Sequence, residues 1–177
     1  MSHHKLIGKL KTVVLTRADL SEATGEGAHI VRGMFLPTDD PDIRIRVPVV
    51  PNLEMKILRA VEREQELKKL GIRKSKIRGK LDMGSWHGDL GDACGTVHCR
   101  LGWAEFLGGA AATRLRNRFY PGVIGALVYL VSTGHVPDFS AVLKPAVVLK
   151  DIRRRALAEK RRKKAFTYKH IPKKQPS

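Results

Sequence analysis

The run GVIGALVYLV, 122–131, constrains this chain most. Pro121 suits the first turn of a helix and Gly134 suits its end, so the spacing predicts a helix over 121–132. Such a helix is apolar on nearly every side, and a helix of that kind has to be surrounded by other elements. It cannot be a membrane span, because crossing a bilayer takes about 20 apolar residues. With 42% apolar residues the chain can build a core around this helix. It has only two cysteines, which excludes a disulfide framework and fits a reducing compartment. The opening MSHHKLIGKLKTVVLT shows no apolar signal region, so the expected location is the cytoplasm.

The first fifty residues read as β-rich. KTVVLT (11–16), AHIVRGMFL (28–36) and IRIRVPVV (43–50) are short runs of β-branched residues, with turns supplied by Gly25, Gly27 and PTDDPD. Pro48 and Pro51 put the end of the third strand at an edge. RADLSEATGEGAHI holds barely one copy of an A-D-L-x-x-A pattern, too few for a pentapeptide-repeat coil, and reads as a turn between strands.

The remainder reads as helical. One helix is expected over 52–70, capped by Asn52, with Leu53, Ile57, Leu58 and Val61 inward and Gly71 at its end. Thr96 is expected to cap a helix over 97–107, stopped by Gly108 and Gly109, and a second helix follows over 110–119. A last helix starts at Ser140 or Pro145 and reaches about residue 164, with Val148, Ile152 and Ala156 as its inner stripe. The fold class is therefore α+β and predominantly α. A small β-rich segment (1–50) precedes a compact domain of four to five helices (51–149), and a basic helix end and tail follow (150–177). The expected core gathers round Trp103, Phe106, Leu115, Ile124, Leu127 and Val148.

The formal net charge of +17 is unevenly placed. Acids and bases balance in 1–67 and again in 81–149. The excess lies in KKLGIRKSKIRGK (68–80), with seven bases and no acid, and in 150–177, with twelve bases against two acids. Charge concentrated on a neutral body is how a polyanion-binding protein is built. The expected phosphate contacts are Arg73, Lys74, Lys76, Arg78 and Lys80 in the first segment. In the second they are Arg153, Arg154, Arg155, Arg161, Arg162, Lys163 and Lys164. Phe166 and Tyr168 in the tail could stack on unpaired bases. No helix–turn–helix or other named reading motif is visible, so DNA or RNA would be held by its backbone. Exposed charge runs also serve solubility or an acidic protein partner.

The stretch LDMGSWHGDLGDACGTVHCRLGW (81–103) holds both cysteines, both tryptophans and two histidines. His87, Cys94, His98 and Cys99 are candidate zinc ligands, since structural zinc sites take Cys and His pairs. Against zinc, adjacent His98 and Cys99 would diverge by about 100° on a helix, and no second pair completes the set. A thiol nucleophile at Cys99 would need a base within reach and a third group to orient it. The plainer reading makes Cys99 and Trp103 core residues, with Trp86 packed beside them and a histidine bonded to backbone.

LDMGSWH, CGTVHCRLGW, the Gly-terminated helix and GALVYL together resemble a small uncharacterised domain of phage and prophage proteins, sometimes found after pentapeptide repeats. That domain reads L-D-M-x-x-W-H-x-C-x-T-x-H-C-x-A-G-W, then a helix ending L-A-G and a later A-x-x-L-I-Y. The positions carried over are Leu81, Asp82, Met83, Trp86, His87, Cys94, Thr96, His98, Cys99, Gly102 and Trp103. Here W-H-x-C is stretched to W-H-x₆-C, which moves Cys94 away from His87. The resemblance implies a phage or prophage origin rather than an activity. The expected function is then a phage-type accessory protein that binds nucleic acid non-specifically in the host cytoplasm. The alternatives are a protein-interaction module aimed at a host or virion protein, and a zinc-binding domain.

Overall fold

The structure is a computed structural model that describes residues 10–33, 42–83, 87–89, 96–140 and 143–161. In chain order the strands and α-helices are β1 (Thr12–Leu15), α1 (Arg17–Ser21), β2 (Ile45–Pro48), α2 (Leu53–Val61), α3 (Glu64–Lys69), β3 (Gly79–Leu81), β4 (His87–Asp89), β5 (Thr96–His98), α4 (Arg100–Thr113), α5 (Pro121–Thr133) and α6 (Pro145–Arg161). The class is α+β, predominantly α. Its described residues form two compact units, each assembled from separated segments: those up to 51 and 105–138 in the first, and those within 52–104 and 139–161 in the second. The sequence predicts divisions at 50 and 149 and one gathered core. The expected core residues instead divide, with Phe106, Leu115, Ile124 and Leu127 in the first unit and Trp103 and Val148 in the second. Phe106 and Leu115 are only half-buried.

The first unit is organised by α5, whose residues from Val123 to Ser132 are all buried. Pro121 opens it and Gly134 ends it in the left-handed conformation, as the sequence predicts. β1 and β2 pair antiparallel, with Leu15 opposite Ile45 and Thr12 opposite Pro48. Leu15, Ile45 and Val47 are buried, while Arg46 points out. The Val50 N–H donates to the Ser132 hydroxyl at 2.9 Å, tying the end of this ribbon to α5. Gly108 has no Cβ because there is no room for one: it would lie 2.7 Å from Ala112 Cβ and 3.3 Å from Pro48 Cγ.

Two expectations fail in this unit. Residues 17–21 form α1, where a turn was expected. Thr16 and Asp19 build a capping box whose two reciprocal bonds satisfy the first free amides. The expected strand 28–36 is a 3₁₀ turn at Ala28–Ile30 as far as it is described. Its residues 34–36 lie outside the described residues.

The second unit packs α2 against α6. Leu53, Ile57 and Leu58 are buried on α2, and Val148, Ile152 and Ala156 on α6. The expected helix 52–70 is broken in two at Glu62, whose backbone is extended (φ −84, ψ 149). Glu62 is buried, its Oε1 accepts the Arg63 N–H at 3.1 Å and its Oε2 accepts from Arg153. The expected helix 97–107 also starts late, because 96–98 form strand β5, parallel to β3 and antiparallel to β4. Cys99 stands at the N-cap position of α4, its sulfur 3.4 Å from the Gly102 N–H. Gly109 interrupts α4 with φ 59 and ψ −152, so the stop expected there takes the form of a kink.

Candidate nucleic-acid interface

The loop that carries the first basic segment is fixed at its base. α3 ends in a Schellman motif: the Ile72 N–H bonds Leu67 O at 2.8 Å and the Gly71 N–H bonds Lys68 O at 3.0 Å. The motif needs a left-handed residue, and Gly71 supplies it at φ 60. Leu67 and Ile72 are both buried, the apolar contact that accompanies such an end. The carbonyls of Leu70 and Gly71 accept from the Lys160 ammonium on α6, at 3.1 and 2.9 Å. A cation at a helix C-terminus is favourable in its own right. The consequence is that the two basic segments meet in one place of the second unit.

The sequence-predicted contacts fall into two groups. Arg73, Lys74, Lys76, Arg78 and Lys80 are exposed. Of these, Lys74 pairs with Glu64 at 3.0 Å. Hydrogen bonds from Lys74 and from Lys68 hold the exposed Glu64 carboxyl below its ordinary pKa. Among the described residues, Arg73, Lys76, Arg78, Lys80 and Arg161 meet no carboxylate. On α6, Arg153, Arg154 and Arg155 are paired with acids instead. Arg153 holds Glu62 at 2.5 Å, while Arg154 and Arg155 hold the two oxygens of Asp151 at 2.6 and 2.7 Å. Arg154 still leaves 72% of its side chain exposed, against 37% for Arg153 and 23% for Arg155. Arg162, Lys163, Lys164, Phe166 and Tyr168 lie outside the described residues.

A buried polar cluster, absent from the sequence reading, sets α6 in place. Arg100 is 2% exposed and pairs with Glu54, 1% exposed, and with Asp151 at 2.8 Å. Burial pushes the Asp151 pKa up, but the hydrogen bonds from Arg154, Arg100 and Arg155 outweigh it and hold the carboxyl well below the usual carboxylate range. Glu159 completes the arrangement. Its two oxygens accept the N–H groups of Glu54 at 3.2 Å and Met55 at 2.9 Å. These are the N2 and N3 amides of α2. Asn52 does occupy the cap position, but with left-handed backbone and no side-chain cap bond. Lys56, half-buried nearby, has its pKa lowered by burial and by Arg59, against the pull of Glu159.

The Cys/His stretch is partly described. It contributes the small sheet β3–β5–β4, in which the backbones of His87 and His98 stand directly opposite one another. The His98 ring is buried edge-on to Trp103, with centroids 4.9 Å apart and planes at 88°. The Trp103 indole N–H donates to Lys80 O at 3.2 Å. Cys99 and Trp103 are both buried. Cys94 and Trp86 lie outside the described residues, and no three metal-ligating side chains converge among those described. Only Val14, Tyr120 and Val147 are large exposed hydrophobic residues among those described. No described helix is long and apolar enough to cross a membrane. No protein-family model, curated protein or solved structure matches the chain.

Proposed function

We propose that this chain is a phage-type accessory protein that binds DNA or RNA by its backbone, in the host cytoplasm. The binding face is loop 73–80 together with the C-terminal end of α6. One observation carries this reading: Lys160 bonds the base of the loop, so basic segments about ninety positions apart in sequence come together. Five cations of that face are exposed and free of carboxylates among the described residues. Cations of this kind displace counterions from phosphates, which gives affinity without sequence preference and a steep dependence on salt. Arg153 and Arg155 serve the fold first, as their pairing with Glu62 and Asp151 indicates.

The test is binding of labelled DNA and RNA across a salt series by the full chain and by a variant with Arg73, Lys76, Arg78 and Lys80 changed to Gln. Deleting everything after Lys150 would be the wrong comparison. It removes the buried Ile152 and Ala156 along with Asp151 and Glu159, and so attacks the fold. Neutralising these four cations should flatten the slope of log K against log salt by about 3 to 4 units, and low-salt affinity should drop at least tenfold. An unchanged affinity would place binding elsewhere and sink the reading.

A further inference from the structure

We propose that the first unit carries a second nucleic-acid contact, in which Arg114 and Arg118 hold phosphates and Tyr120 stacks on an unpaired base. This rests on the nucleic-acid reading above and adds to it a contact made with the bases. The charge balance of 81–149 conceals this segment. Residues 106–137 contain three arginines, Arg114, Arg116 and Arg118, and no acid. The acid that precedes them, Glu105, is buried and takes Arg116 at 2.5 Å. Arg114 and Arg118 are exposed and meet no carboxylate among the described residues. The first turn of α5, which follows them, brings none.

The segment is fixed, so these side chains are displayed rather than trailing. A 3₁₀ turn runs from Arg114 to Asn117. The N–H groups of Arg118 and Phe119 both donate to Leu115 O at 2.9 Å. Phe119 is buried, and the Arg118 guanidinium lies over its ring, 5.7 Å from the centroid. An arginine held against a ring keeps N–H donors for a phosphate and loses less freedom on binding than a loose one. Tyr120 has extended backbone (φ −64, ψ 148) and precedes Pro121, the first residue of α5. Its carbonyl accepts the Ile124 N–H at 3.2 Å. Tyr120 is nevertheless 72% exposed, the most of any large hydrophobic residue among those described.

An exposed ring two residues from an unpaired guanidinium suits a nucleotide better than an acidic protein. Carboxylates would satisfy the arginines and leave the ring in water. A nucleotide presents a phosphate and an aromatic face together. Every base has such a face, so stacking adds affinity with little preference among bases. A base inside a duplex is covered by its neighbours, so the ring reaches only an unpaired or terminal one. Loop 73–80 contains no aromatic residue. The two contacts therefore differ in kind: phosphates alone at the loop, phosphates with a base here.

The experiment titrates two labelled strands of about 15 nucleotides, oligo-dT and an abasic strand with the same sugar–phosphate chain, across a salt series. The proteins are the full chain, Tyr120→Ala, Tyr120→Phe and the double variant Arg114→Gln, Arg118→Gln. All should melt with the parent, since the altered side chains are exposed. Tyr120→Ala should weaken oligo-dT binding at least about fivefold and leave the abasic strand unaffected. Tyr120→Phe keeps the ring and should bind as the parent does. The double variant should flatten the salt slope on either strand by about 1.4 units, from two phosphates at about 0.7 each. If Tyr120→Ala binds oligo-dT as the parent does, or loses both strands equally, the stacking is overturned. An unchanged slope in the double variant overturns the phosphate contacts. Either result leaves the nucleic-acid reading standing where the loop variant above still weakens binding. No binding of either strand by the full chain at low salt overturns both. Polyglutamate is the third polymer. If it binds as tightly as oligo-dT and weakens in the double variant but not in Tyr120→Ala, the partner of this segment is an acidic protein and the proposal fails.

Discussion

Loop 73–80 and the Arg153–Arg155 turn of α6 are both dense in cations and have opposite fates. Both are clusters of cations read from sequence as phosphate contacts. In the loop, neighbouring carboxylates are few, and among the described residues only Lys74 finds one, in Glu64. On α6 each of the three arginines has an acid: Glu62 for Arg153 and Asp151 for the other two. Charge density alone therefore does not decide whether a basic run faces a polyanion or the protein's own acids. What decides it is whether carboxylates lie within reach: Glu62, at the end of α2, takes Arg153, and Asp151, on α6 itself, takes Arg154 and Arg155.

The contrast is sharpest at Arg100. Replacing it by Met leaves Glu54 buried without its main counter-charge, and breaking a buried pair from one side costs about 3–5 kcal/mol. Denaturant unfolding followed by tryptophan fluorescence should show that loss for Arg100→Met. Adding Glu54→Gln should recover part of it, because the orphaned charge is then gone. A loss below about 1 kcal/mol would mean that water reaches the pair, against the burial of both side chains. A smaller effect is expected at Glu159. In Glu159→Gln one of two acceptor oxygens becomes a donor facing an amide of α2, a cap loss of about 1 kcal/mol. The same substitution should weaken nucleic-acid binding only through α6. Adding salt should not restore it, whereas raising protein stability with an osmolyte should.

Much of the fold was legible because it rests on local signals. Pro121 and Gly134 bracket α5, Val148, Ile152 and Ala156 repeat at four-residue spacing, and Gly71 closes α3. The Asp151–Arg154–Arg155 pairs could have been read too, from their i, i+3 and i, i+4 spacing. The misses are non-local. Nothing near Glu62 says that a partner ninety-one residues away will draw it out of a helix. Nothing near Asn52 says that Glu159 will take over the capping of α2. Thr96 looked like a helix cap because a cap and the end of a strand share extended backbone, and pairing with β3 and β4 favoured the strand. The basic loop itself was legible as charge. Its junction with α6 through Lys160 was not, because it depends on two backbone carbonyls that carry no sequence signature.

Acidity offers the mildest way to separate the two regions, since it leaves the loop cations untouched and acts on the carboxylates that occupy α6. The folded-state pKa of Asp151 lies below its unfolded value of about 3.9, so its contribution to stability is complete above that value. As pH falls, the unfolded chain takes up the proton first, and the contribution fades on the way down to the folded pKa. The stability difference between the parent chain and Asp151→Asn should thus be constant from about pH 5 to 8 and shrink below about pH 4. Measuring that difference removes the acid sensitivity common to both chains. A difference that already changes near pH 6 would mean that Asp151 is not held by its three arginines, and that Arg154 and Arg155 are as free as the cations of the loop.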